Sequence, residues 1–203
     1  RYSNINQEIS KLSVQFSQNL LAETNNFEII LNKDDLNGLP DDIVILAKEE
    51  ADNKYKKTSD IKYKNKFIFT SHRSSMYPFL TYSESRDLRE KLYNGYIMRG
   101  DNNNEYDNKN ITAKIASLRV EKANILGFDT HAHYVLDNTM AKTPDAVYEL
   151  LNQLWKPALN RAKDELQELQ NFVNDEGQNF KIASWDWWHY SEKVRKEKYN
   201  LDE

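Results

Sequence analysis

Ser184–Glu203 reads SWDWWHYSEKVRKEKYNLDE and sets three tryptophans and two tyrosines among a dense run of charges. Ser184 carries a hydroxyl suited to cap a helix, with Trp185 at its first position. Trp187 and Trp188 are neighbours, so on a helix they point to different faces and one of them must meet another surface. Glu192, Lys193, Arg195, Lys196 and Glu197 form a solvated, salt-bridged face in which each pair is worth little. The helical pattern reaches Glu203 without a stop signal, and Arg1 is not an initiator methionine. We therefore expect residues 1–203 to be a piece of a larger protein.

The composition favours helices. Hydrophobic residues make up 39% and charged residues 30%, while only 5 Gly and 4 Pro leave little room for a turn-rich β fold. Aromatics at 12% argue against disorder, because so much ring surface is costly to leave in water. The mean hydropathy of -0.86 fits a well-solvated helical surface. The net charge is -4 with the signs interspersed, which disfavours a nucleic-acid partner. No apolar run approaches the roughly 20 residues that span a bilayer. Cys is absent, which removes disulfide and thiolate chemistry and fits cytoplasm and periplasm equally.

Periodicity places the elements. Ile5, Ile9, Leu12, Phe16 and Leu20 form one helical stripe. Asn25 to Gly38 reads as a turn region, and a second helix begins near Pro40-Asp41-Asp42, with proline and acids in its first turn. Lys66–Thr70 and Pro78–Tyr82 read as two short strands, so a small β-hairpin is expected over about 66–82. Ser83 reads as the cap of a helix running to Arg99, and Asp107 as the cap of the next, whose stripe is Ile111, Ile115, Leu118 and Ile125. Gly127 then ends that helix with Phe128 folding back. A short helix covers 130–136. Thr143-Pro144 opens the longest helix, about 48 Å if continuous to Asp175 and kinked at Pro157. Its stripe is Val147, Leu151, Leu154, Ala158, Ala162, Leu166, Leu169 and Val173.

No self-contained catalytic constellation emerges from these residues. The four histidines are His72, His131, His133 and His189, and none opens an H-E-x-x-H. His131 and His133 are two residues apart, which on a helix sends their rings to opposite sides. The loop Asp101–Asp107 has calcium-loop acids, yet Tyr106 stands at the glycine position and Thr112 at the bidentate glutamate position. There is no G-x-S-x-G elbow and no glycine-rich phosphate loop.

An ordered series of motifs nonetheless runs along the chain. It comprises Asn19-Leu20-Leu21-x-Glu23-Thr24-Asn25, Leu36-x-Gly38-Leu39-Pro40, Phe69-Thr70, Pro78-Phe79-Leu80-x-Tyr82 and Arg86-x-Leu88-Arg89-Glu90-Lys91-Leu92-Tyr93. It continues with Leu118-Arg119, Ala123-x-x-Leu126-Gly127-Phe128, Met140-Ala141-Lys142-Thr143-Pro144 and Trp185-Asp186-Trp187-x-x-Tyr190-x-Glu192-Lys193-x-Arg195, then Leu201-Asp202-Glu203. The series resembles the peptidyl-dipeptidase (dipeptidyl carboxypeptidase) branch of the thimet oligopeptidase family of zinc metallopeptidases. That resemblance implies a mainly α fold, a multi-helix zincin shell around a deep channel. It implies that the chain is one mostly helical segment, 1–203, a fragment upstream of the H-E-x-x-H zinc helix. It implies zinc in the intact parent, short unfolded peptides as substrates and release of C-terminal dipeptides. No catalytic or metal residue maps onto this chain, and the fragment alone is expected to be inactive and zinc-free. Trp185, Trp187, Trp188 and Tyr190 are the candidate channel-lining residues. The fragment is also expected to self-associate through an inner face that the rest of the parent normally covers. Two other readings stay open: a fragment of an internally cleaving oligopeptidase, and a free-standing helical binding module.

Overall fold

The computed structural model describes residues 1–199; Leu201-Asp202-Glu203, the end of the tail motif, lies outside the described residues. Among these, eight α-helices and one small antiparallel sheet form a mainly α chain. The helices are α1 (Tyr2–Asn26), α2 (Asp41–Thr58), α3 (Arg73–Tyr82), α4 (Arg86–Ile97), α5 (Lys109–Ile125), α6 (His131–Leu136), α7 (Pro144–Asp175) and α8 (Trp187–Tyr199). The strands are β1 (Glu28–Leu31) and β2 (Phe67–Thr70). The chain divides into two compact units, one of Arg1–Ala22 with Gly100–Asp164, the other of Glu23–Arg99 with the chain from Glu165 onward.

In the first unit, Asn108 fastens α1 to the start of α5. Its side chain is buried, donates to the Phe16 carbonyl at 3.1 Å and accepts from Asn19 at 3.0 Å. Ile5, Ile111, Leu118 and Ala123 are buried, whereas Ile125 of the expected stripe is exposed. The expected end of α5 forms: Gly127 has φ +84°, the Phe128 N–H reaches the Ala123 carbonyl at 3.0 Å, and the Phe128 ring meets Tyr134 edge-on.

The second unit is built on the sheet. β1 pairs β2 with Ile29 opposite Phe69 and Ile30 opposite Ile68. Ile29, Leu31, Ala47, Phe69, Met76, Phe79, Leu80 and Leu92 form its main core, with Phe69 and Phe79 rings 4.6 Å apart. Gly95 lies where the Phe27 ring crosses α4, and a Cβ there would come within 2.0 Å of that ring.

The sheet is present, but its second strand is not the expected one. Pro78–Tyr82 belongs to α3, and β2 pairs instead with Glu28–Leu31, a segment expected to be a turn. The reason lies in spacing. Met76, Phe79 and Leu80 fall at helical i, i+3, i+4 positions, and a helix buries all three on one side. A strand would turn Phe79 and Leu80 to opposite faces. Ser83 consequently follows the end of α3, its N–H bonding to the Phe79 carbonyl, and α4 starts two residues later behind Ser85.

Helix α7 runs unbroken for 32 residues with Pro157 inside it, and ends at Gly177. Its expected stripe is buried only at its C-terminal end, at Leu169 and Val173. Leu151 and Leu154 are exposed.

Candidate functional site

The segment that opened the sequence reading lies in the second unit, where its central acid is the best-held charge. Ser184–Asp186 forms a single 3-10 turn before α8. That turn delivers the Asp186 carboxylate to Arg86 and Arg89, which sit three residues apart on one face of the first turn of α4. Arg86 donates from Nη2 to Oδ2 at 2.9 Å and from Nε to both oxygens at 3.1 Å. Arg89 donates from Nη2 to Oδ1 at 3.0 Å, and the Ala183 N–H donates to Oδ2 at 3.0 Å. Asp186 is 0% exposed and Arg89 1%. The Arg86 guanidinium also lies over the Phe180 ring at 4.4 Å and the Trp185 ring at 5.4 Å.

This clasp joins two motifs about a hundred residues apart in sequence. Its chemistry is structural, because the carboxylate accepts from two guanidinium groups and a backbone N–H. It also has donors to spare. Arg89 Nη1 donates to the Ser83 carbonyl at 2.7 Å, while Arg89 Nε, Ser83 Oγ and Trp185 Nε1 are buried without a hydrogen-bond partner.

His189 completes the arrangement. Nδ1 donates to the Thr81 carbonyl at 3.0 Å, and the ring stands edge-on to Tyr190 at 5.1 Å. Burial, with the nearby Arg89 charge, lowers its pKa to about 4, so the ring is neutral at pH 7. Burial also raises the Tyr190 hydroxyl above its ordinary value.

The four candidate channel residues go to different surroundings. Trp185 and Trp188 flank Tyr93, at 6.4 and 6.1 Å between ring centres, and Trp188 also meets Tyr77 at 5.8 Å. Tyr190 is buried in a small core with Leu169, Val173, Phe172, Phe180 and Val194. Trp187 is the exposed one of the four, at 36%. The adjacent tryptophans thus do face different ways. The expected charged face of α8 includes a bidentate Arg195–Glu192 pair at 2.7 and 2.8 Å.

The remaining polar candidates are accounted for. His131 and His133 lie on α6, where Thr130 caps the helix by accepting from the His133 N–H. In the Asp101–Asp107 loop the Lys109 ammonium takes the cation's place, reaching Asp101 at 2.6 Å and Asp107 at 2.5 Å. Hydrogen bonds from Lys109 hold the Asp107 carboxyl below its usual range. Among the described residues no group of three or more His, Asp or Glu side chains could hold a metal ion. No described helix is long and apolar enough to cross a membrane.

The Arg86–Asp186–Arg89 clasp was not foreseen from sequence, although both motifs were visible. The available signal was two arginines three apart and one acid fenced by tryptophans, the composition of a buried ion pair.

Comparison with known proteins places these motifs. The model of "Peptidase family M3" matches residues 79–203, which includes both halves of the clasp. Oligopeptidase A of Haemophilus influenzae is 35% identical over 208 residues, covering 100% of this chain and 29% of that protein. Dipeptidyl carboxypeptidase of Escherichia coli is 31% identical over 200 residues, covering 98% of this chain and 28% of that protein. Saccharolysin of Saccharomyces cerevisiae is 29% identical over 204 residues, covering 98% of this chain and 27% of that protein. The chain therefore spans less than a third of the length of these relatives. With the family model matching more than half of its residues, the chain belongs to peptidase family M3.

Proposed function

We propose that residues 1–203 are scaffold and channel wall of a zinc-dependent peptidyl-dipeptidase, which releases C-terminal dipeptides from short, unfolded peptides. The observation that carries the reading is the end-to-end match to proteins named dipeptidyl carboxypeptidase and oligopeptidase A. The buried clasp supports a scaffold role, because it spends its charges on holding α8 to α4 and leaves no carboxylate for catalysis. Zinc and the groups that act on the peptide bond would be supplied by sequence outside residues 1–203. A second reading, internal cleavage, is supported by matches to proteins named oligopeptidase A at 30–35% identity, beside 29–31% to those named dipeptidyl carboxypeptidase.

The test uses the parent gene product, purified and assayed for zinc and for cleavage of a blocked pentapeptide. Stoichiometric zinc with stepwise release of C-terminal dipeptides is the expected result. Cleavage at internal bonds without dipeptide release would favour the second reading. A zinc-free parent with no peptide hydrolysis would overturn both.

A further inference from the structure

Two of the five glycines follow an asparagine, at Asn37-Gly38 and Asn94-Gly95, and the fold treats the two pairs differently. In this dipeptide the glycine nitrogen can close a five-membered ring on the asparagine side-chain carbon, because no Cβ shields the approach. Ring closure needs an amide N–H free to lose its proton and an asparagine side chain free to swing over that nitrogen. Asn94-Gly95 has neither freedom. It lies inside α4, whose hydrogen-bond pattern commits the Gly95 N–H to the Lys91 carbonyl, and the Asn94 carbonyl accepts from the Met98 N–H at 3.0 Å. The Phe27 ring also crosses Gly95.

Asn37-Gly38 has both. The pair forms an exposed turn between the 3-10 turn Lys33–Asp35 and α2. The turn is held by other groups: Leu39 donates to the Leu36 carbonyl at 3.1 Å, and Glu84 donates to the Asn37 carbonyl at 3.0 Å. Among the described residues neither the Asn37 side chain nor the Gly38 N–H has a hydrogen-bond partner. Gly38 is itself fixed as glycine. Its φ is +83°, and a Cβ there would come within 2.4 Å of the Tyr82 carbonyl oxygen and 2.9 Å of Glu84 Cγ.

We propose that Asn37 is a site of spontaneous deamidation and isoaspartate formation, chosen over Asn94 by the fold. The Gly38 nitrogen gives its proton to hydroxide and bonds to Asn37 Cγ. The bond from Cγ to the side-chain nitrogen breaks, and that nitrogen takes a proton from water and leaves as ammonia. Water then opens the succinimide at one of its two carbonyls, giving aspartate or isoaspartate, with no change of oxidation state. The isoaspartate form adds a methylene to the backbone and turns the carbonyl that holds the Glu84 N–H into a free carboxylate. Since Gly38 already packs against Tyr82 and Glu84, the added atom loosens the turn's hold on the junction between α3 and α4.

The test ages the full-length parent in buffer and in urea and follows two tryptic peptides by mass spectrometry. Asp34–Lys48 carries Asn37, and Leu92–Arg99 carries Asn94. In buffer Asn37 should convert at least about tenfold faster than Asn94, which has to wait for α4 to open; in urea the two rates should converge. Conversion at Asn37 should also quicken as pH rises. Equal rates in buffer, an Asn37 that stays intact in buffer while converting in urea, or a rate indifferent to pH would each overturn the proposal. The structural consequence has its own readout. The aged fraction bearing isoaspartate should unfold at a lower urea midpoint than fresh protein, while aged Asn37→Gln, whose longer side chain closes the ring poorly, should keep its midpoint. An isoaspartate fraction with an unmoved midpoint would overturn the claim on the junction.

Discussion

Asp186 meets Arg86 and Arg89 with none of its side chain left to water, whereas Asp101 and Asp107 meet Lys109 on an open loop where Lys109 remains 50% exposed. The loop contacts, at 2.5 and 2.6 Å, are shorter than the 2.9–3.1 Å of the clasp, and both clusters set a carboxylate against a cation. What differs is the medium. On the loop, water and salt screen the attraction, and the ions lose little by separating. At Asp186 the ions have already given up their hydration, so each depends on the others for its hydrogen bonds. The lesson is that proximity of opposite charges says little about stability until burial and hydrogen bonding are known.

The comparison is broken most severely by removing the acid. Asp186→Ala leaves Arg89 buried against the Ser83 carbonyl without its carboxylate and strips the Ala183 N–H of its partner. A loss of about 3–5 kcal/mol is expected, read as a fall in the urea midpoint. Tryptophan emission is a suitable signal, since the Trp185 ring lies 5.4 Å from the Arg86 guanidinium. Next in size is the effect of acid on His189. Its pKa falls from 6.5 in the unfolded chain to about 4 in the fold. Between those values the unfolded chain binds the extra proton and the folded chain does not. Stability is therefore complete above pH 6.5 and lost as pH falls toward 4, by about 1.4 kcal/mol for each unit. Arg89 and Lys193 deepen this effect, and Glu176 opposes it. His189→Gln, which keeps a donor for the Thr81 carbonyl, should flatten the slope of stability between pH 4 and 6.5. At the small end, Lys109→Ala should leave the urea midpoint unmoved at high salt, where the loop charges are screened.

The legible parts of the sequence were those in which local pattern and tertiary packing agree. The stripe of α1, the proline-led start of α2 and the Gly127 stop of α5 all formed where expected. Reading failed where two periods overlap. Phe79-Leu80 satisfies a β-prone run and a helical i, i+3, i+4 set at once, and only the core beneath Met76 decides between them. Glu28–Leu31 is too short for periodicity and hides among asparagines; its pairing with β2 is a long-range fact. The clasp was hidden for the same reason. Arg86, Arg89 and Asp186 were each in view, but a charged residue on a helix is usually solvated, and no local feature brings residue 186 to residue 86.

Asp186, held by Arg86 and Arg89, is a structural clasp between the turn before α8 and the first turn of α4. A double-mutant cycle of Asp186→Asn and Arg89→Met, read by urea unfolding, tests it most directly. A coupling of at least about 2 kcal/mol is expected, because the second substitution removes a charge that the first has already orphaned. Effects that add to within about 0.5 kcal/mol would contradict it.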